Sequence, residues 1–226
     1  MKAKIYSHNN LIGIATLEIG DATMGGVFGN FEPTDLYFNN VQKHVWEFWG
    51  TNKPNYQKWE SLRFNAQLEN GLFLFPQGGY TYSDMKGIDD DPIQIDLAGL
   101  DFEIIEEYFL NNRVTSLVED PWSSISISQK IAFEDELEKE LGNKEISLFD
   151  IFKPKSKRHL LANSEFSAFG SSQINDDVLF EVRSPDISWK YAVVHLTWTK
   201  KKENVPYPIT TIYEDFEEFR QKRMII

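Results

Sequence analysis

Apolar and polar positions follow two periods along the chain. Leu11 to Ile19 is a β-rich run after the polar turn Ser7-His8-Asn9-Asn10, and it leads into the glycine-studded segment Gly20 to Phe31. Pro33 and Thr34 then open a helix. Phe38, Val41, Val45, Phe48 and Trp49 fall at helical spacing on it, and Gly50 stands where a C-terminal cap belongs. Leu62, Phe64, Ala66 and Leu68 alternate with polar residues up to Asn70-Gly71, and Leu72 to Phe75 follows. Asn-Gly between two such runs predicts a two-residue type I′ hairpin, which sets Leu68 against Phe73 and Ala66 against Phe75. Short strands follow around Tyr80–Tyr82 and Ile93–Leu97. A helix from about Asp101 groups Ile104, Ile105, Tyr108 and Phe109.

Residues 111–127 lack periodicity and read as a connection. Ser128 caps a charged helix that Gly142 ends. Further on, Val178, Phe180 and Val182 alternate on one predicted strand (178–183). Ala192, Val194, Leu196 and Trp198 alternate on another (191–199). Pairing these two sets on one face makes that face wholly apolar, and a one-residue slip would set Glu181 and Arg183 beside Leu196 and Val194. The opposite face then carries Asp177, Glu181, Arg183, Tyr191, His195, Thr197 and Thr199. A strand near Ile209–Tyr213 precedes a helix with acidic residues in its first turn and basic ones in its last, the order that matches a helix dipole. The pattern as a whole predicts an α+β fold. It has two small modules, 1–112 and 113–226, each a mostly antiparallel sheet with a few packed helices.

Composition narrows the classes. Twenty-three Lys and Arg stand against 35 Asp and Glu, a net charge of −12, which argues against general nucleic-acid binding. With no cysteine, disulfide scaffolds, thiolate metal sites and thiol catalysis are excluded. No apolar run is long enough for a secretory signal or a membrane span, so the expectation is a cytoplasmic chain with no membrane partner.

Candidate chemistry is sparse. The four glycines between Gly20 and Phe31 lack both phosphate-loop and dinucleotide spacing, and read as a tight turn or a close backbone approach. Asp89-Asp90-Asp91 lacks calcium-loop spacing and reads as a solvated turn. Lys153 to Arg158 reads as a solvated basic linker. None of the four histidines forms a metal-ligand pair, so no metal and no cofactor is expected. His195 alone has carboxylates on its expected face. His195, Asp177 and Glu181 are therefore the candidate catalytic set, against an ordinary half-exposed strand histidine.

Asn175 to Glu181, then Tyr191 to Thr199 and Tyr207-Pro208 before an acidic aromatic helix, resemble a group of small bacterial proteins of unknown function over residues 145–226. Asp21 to Gly26, Phe31-Glu32-Pro33-Thr34 and the Asn70-Gly71 hairpin resemble a second such bacterial module over residues 1–110. Modules of this kind are similar to the immunity-type proteins that neutralise toxins, and the resemblance implies no catalytic residue and no cofactor. The first functional reading is thus a cytoplasmic, non-enzymatic binding protein with a basic protein or toxin as its partner, toward which an acidic chain is steered. The alternatives are a small-ligand binder or hydrolase-like enzyme built around His195, and a homo-oligomer with an aromatic patch.

Overall fold

The computed structural model of the chain describes residues 1–87, 91–142 and 158–224. It is an α+β protein of two compact units, Met1–Thr115 and Ser116–Ile226. Asp89, Asp90 and most of the basic run 153–158 lie outside the described residues.

In the first unit, β1 (Lys2–Ser7), β2 (Asn10–Asp21) and β3 (Gly26–Pro33) form a meander. Helices α1 (Asp35–Asn40), α2 (Gln42–Trp49) and α3 (Tyr56–Glu60) follow. Strands β4 (Phe64–Leu68), β5 (Phe73–Leu74), β6 (Gly79–Ser83) and β7 (Gln94–Ala98) complete one antiparallel sheet in the order β5-β4-β1-β2-β3-β7-β6. Alternation fills one face of this sheet: Ala3, Ile5, Ala15, Leu17, Val27, Phe31, Ala66, Leu68, Ile95 and Leu97 are all buried. The sheet is curled enough for its two ends to meet. The Tyr80 hydroxyl of β6 accepts from the Ala66 N–H (3.1 Å) and donates to the Leu74 carbonyl (3.3 Å). The unit closes with α4 (Phe102–Ile104), capped by the Asp101 carboxylate, and a π-helical turn over Ile105–Leu110.

Glycine works here by close approach. At Gly29 a Cβ would overlap the Thr16 carbonyl on β2, and at Gly25, in left-handed conformation, it would overlap the Leu100 backbone. The Asp21 carboxylate meanwhile caps the short 3-10 turn Ala22–Met24.

Two details of this unit depart from the periodic reading. The hairpin has a three-residue loop, Glu69-Asn70-Gly71, with only Gly71 at positive φ (+91°) in the turn, so Ala66 pairs with Leu74 and Gln67 with Phe73. The expected register is therefore one residue off. The single expected helix is broken at Val41, and its buried stripe is Tyr37, Val41 and Val45, while Phe38 and Trp49 are exposed.

The second unit holds β8 (Trp122–Ser123), α5 (Ile127–Leu141), β9 (Glu165–Ser172), β10 (Asp177–Arg183), β11 (Tyr191–His195), β12 (Ile209–Tyr213) and α6 (Phe216–Arg223). Its sheet is antiparallel in the order β12-β11-β10-β9-β8. Residues 116–127 are not a bare connection: Leu117, Val118, Trp122 and Ile125 are buried, and Trp122–Ser123 pairs with β9. Ser126 rather than Ser128 caps α5, through a reciprocal box with Gln129, and Gly142 ends it at φ +68°.

The expected parity of β10 and β11 holds, with Val178 opposite Val194 and Phe180 opposite Ala192. The opposite face is a second core rather than a solvated surface. Leu179 and Val193 pair between the polar positions. Phe169, Tyr191, Phe216 and Phe219 pack there with ring centroids 5.6–5.7 Å apart, as α6 lies across them.

Candidate functional site

The geometry divides the candidate set of the second unit. Asp177 and His195 are directly opposite on β10 and β11, and His195 Nδ1 lies 2.8 Å from Asp177 Oδ1. The imidazole is half exposed at the end of the sheet, with Asp177 largely buried behind it. Glu181 is not part of this pair. It stands four residues along β10, about 13 Å by strand rise, and is buried with Arg183 donating to it at 2.7 Å. The two carboxylates thus have separate partners. What faces solvent is an Asp–His pair whose Nδ1 is committed to the carboxylate and whose Nε2 points to no described group.

The charged helix α5 is less exposed than its sequence suggests. Lys130, Glu136 and Glu140 are each at most 3% exposed. Lys130 bonds Glu134 and the Ser167 hydroxyl, and Glu134 in turn accepts from the Ala168 N–H of β9 (3.0 Å), beyond the two residues that β8 covers.

Glu140 and Glu136 grip the chain that leaves β11. Glu140 Oε1 accepts from the Thr197 N–H (2.7 Å), the Thr197 hydroxyl (2.8 Å) and the Trp198 N–H (2.9 Å), and Glu136 Oε1 accepts from the Lys200 N–H (2.6 Å). These bonds end β11 at His195, four residues before the expected end of the strand at Thr199, and Trp198 and Lys200 take left-handed φ. The same loop serves the helix in return: the Glu203 N–H bonds the Glu140 carbonyl at the helix terminus (2.8 Å), one of the orphan acceptors there. Burial, with Glu136 nearby, raises the Glu140 carboxyl above its ordinary value despite its three hydrogen bonds; its Oε2 is buried without a partner.

His159 ties down the Pro206–Pro208 stretch. Its Nδ1 accepts from the Leu161 N–H (3.2 Å), which leaves Nε2 to donate to the Pro208 carbonyl (2.9 Å), and burial lowers its pKa.

In the first unit the helices carry an exposed aromatic surface, where helical spacing predicts an apolar inner face with Phe38, Phe48 and Trp49 on it. Phe48 is ringed by Trp49 (centroids 5.3 Å), Tyr56 (5.4 Å) and Trp59 (4.4 Å). Trp49 is 55% and Tyr56 62% exposed, with Phe38 nearby in sequence at 47%. The platform is held rigid from below. The Trp49 indole N–H donates to the Tyr82 carbonyl (2.9 Å). The buried Asp84 carboxylate accepts from the Tyr37 hydroxyl (2.7 Å), the Gln42 amide (3.0 Å) and the Trp46 indole (3.1 Å). Burial and Asp84 raise the Tyr37 hydroxyl far above its usual value, so it stays a donor. At the rim, Lys58 and His44 hold the Glu47 carboxyl down at about 2.

The Tyr37-Val41-Val45 spacing, four residues apart, puts Phe38 off the buried stripe, but Trp49 continues that spacing and Tyr56 stands on the next helix, so the sequence carries no signal for their exposure. Glu136, Glu140 and Asp84 carry no local signal, because their partners are distant in the chain.

Among the described residues no group of three or more acidic, histidine or cysteine side chains converges as a metal site. No helix among them is long and apolar enough to cross a membrane. No family model, curated protein or solved structure matches the chain.

Proposed function

We propose that this chain is a non-enzymatic binding protein that engages a protein partner through the aromatic platform of α2 and α3. The observation that carries this reading is the Phe48–Trp49–Tyr56–Trp59 cluster, exposed at Trp49 and Tyr56 and half-buried at Phe48 and Trp59. Large aromatic rings with few torsions to immobilise are the side chains that dominate protein interfaces.

Charge selects the partner. Residues 1–115 carry sixteen Asp and Glu against eight Lys and Arg, so the unit that bears the platform also bears most of the net negative charge. A field of that sign accelerates encounter with a basic protein. An immunity-type inhibitor of a basic bacterial toxin, acting in the cytoplasm, is the specific form of this reading, and the family resemblance of both modules supports it.

The enzyme alternative keeps one favourable observation, the 2.8 Å Asp177–His195 contact. Against it stands the half-exposed position of the imidazole and the withdrawal of Glu181 to Arg183.

The test compares the wild-type chain with Tyr56→Ser and Trp49→Ser as affinity baits, each checked to be folded by its thermal melt, with co-expression against candidate toxins from neighbouring genes. The expected result is a basic protein retained by the wild type and depleted on both variants, with toxin rescue lost in parallel. Retention that both substitutions leave unchanged would remove the platform from the interface. The absence of any retained basic protein, together with no rescue, would end the reading.

A further inference from the structure

A cleft of about 490 Å³ lies in the first unit, among the start of β1, the end of β2, the 69–71 hairpin loop and the π-helical turn. That volume falls inside the range of about 300–1,000 Å³ typical of small-molecule sites. Its accessible apolar lining comes from Ile19 and Phe109, with Leu17 and Tyr108 buried behind them. The π-helical register of Ile105–Leu110 brings Phe109 to this wall, and such turns recur at functional sites.

The charged groups around the cleft are the informative part. Lys2 pairs with Thr16 in the ladder, so Lys2 and Glu18 are diagonal neighbours on one sheet face, and Glu69 joins them from the hairpin loop. Two further cations line the cleft but are already engaged, Arg113 by Glu107 at 3.3 Å and the Met1 ammonium by the Leu17 carbonyl. Lys2, Glu18 and Glu69, in contrast, make no side-chain hydrogen bond or ion pair with any described residue. One cleft thus gathers two uncommitted carboxylates and one uncommitted ammonium beside an apolar wall, while the lining amides of Asn70 and Asn112 already donate to the Thr115 and Leu110 carbonyls. A purely cationic ligand would leave Lys2 repelled, and a purely anionic one would leave Glu18 and Glu69 repelled. A ligand that carries both charges answers all three.

We propose that this cleft binds a zwitterionic small molecule of about dipeptide size with an apolar body. Its ammonium meets Glu18 and Glu69, its carboxylate meets Lys2, and its apolar body lies against Ile19 and Phe109, the lining side chains that are only half-buried. The site is remote in sequence from the α2–α3 platform and does not depend on it.

The test uses the full chain and the dipeptide Leu-Phe as the probe. Binding is followed by calorimetry and by amide shifts of Leu17, Ile19 and Asn70. N-acetyl-Leu-Phe and Leu-Phe amide, each with one charge removed, serve as the controls. The expected result is saturable one-to-one binding of Leu-Phe, at least about tenfold weaker for each single-charge analogue and for Glu69→Gln and Lys2→Gln, each contact being worth about a factor of ten. Both substituted positions are exposed, and unchanged thermal melts confirm that the variants are folded. Absence of saturable shifts, equal binding of the capped peptides, or binding indifferent to Glu69→Gln would each overturn the proposal. None of these outcomes bears on the platform, whose test uses different positions.

Discussion

Glu140 offers the sharpest test of how the second unit is held together. Glu140→Ala removes one carboxylate oxygen that three donors share, and it strands the Thr197 and Trp198 N–H groups in a partly buried place. A stranded donor costs about 1–3 kcal/mol, and bonds to a charged acceptor are worth about 1.5–3 kcal/mol each. They do not add on a single oxygen, and removal of a buried charge returns its desolvation cost. A net loss of about 3–5 kcal/mol is therefore expected, the range for breaking a buried charged contact. Glu140→Gln keeps an acceptor at the Oε1 position but puts an amide N–H₂ where Oε2 now lies buried without a partner. Its cost should be smaller, about 1–2 kcal/mol.

The pH dependence separates charge from shape. Burial raises the folded-state value of Glu140 above its unfolded value. The contribution of the group is then fully present below the unfolded carboxyl value of about 4.3, and it is lost as pH rises through the folded value. The stability gap between wild type and Glu140→Gln should accordingly be widest below about pH 4.3, the unfolded value, and narrow toward neutrality. Urea unfolding across that window measures the gap, and hydrogen exchange at the Thr197 and Trp198 amides reads the loop itself. A gap that widens with pH, or an alanine variant no less stable than the glutamine one, would refute the account of the carboxylate as the clasp of this loop.

Two further substitutions probe the first unit. Tyr82 is buried with its hydroxyl unpartnered, among the rings of Phe31, Tyr37, Trp59 and Phe64. Tyr82→Phe keeps every ring contact and should leave thermal stability unchanged or raise it by about 1 kcal/mol; a clear loss would show that the hydroxyl has a partner in solution. Gly29→Ala drives a methyl into the Thr16 carbonyl between β2 and β3. Its cost should reach or exceed the upper end of the ~1–3 kcal/mol of an overpacked core, measured by denaturation, and a neutral effect would contradict the close approach of the two strands.

The sequence disclosed what period and parity can encode. The shared apolar face of Val178–Val182 and Ala192–Val194 was legible because every slip puts Glu181 or Arg183 into it. The other face reads as solvated because it carries Asp177, Glu181 and His195, while Leu179 and Val193 between them need the rings of α6, distant in the chain, for a cover. Leu196 and Trp198 continue the strand period perfectly well. The strand stops there because a glutamate more than fifty residues earlier captures the backbone. Asn70-Gly71 marked the turn but not its length, since one positive-φ residue in a three-residue loop and two in a two-residue loop present the same dipeptide. In the candidate site, the Asp177–His195 contact followed from strand pairing alone. The aromatic platform depended on which side of α2 faces the sheet, a rotation that a break at Val41 conceals.

The Tyr80 hydroxyl, set between Ala66 and Leu74, has a bearing on self-association. An open sheet offers unpaired N–H and C=O groups as a template for other chains. In the first unit that template is shortened by curling, and one phenol spans the seam. In the second unit β12 has β11 on one side only, and its sequence Ile-Thr-Thr-Ile-Tyr is uncharged and β-branched. Its guards are flanking residues: Pro206 and Pro208 before it and Glu214 and Asp215 after it, which withhold donors and add repulsion where a foreign strand would extend. Aggregation of the folded chain is thus expected to begin at β12, and neutralising Glu214 and Asp215 should hasten it more than any change to the longer sheet.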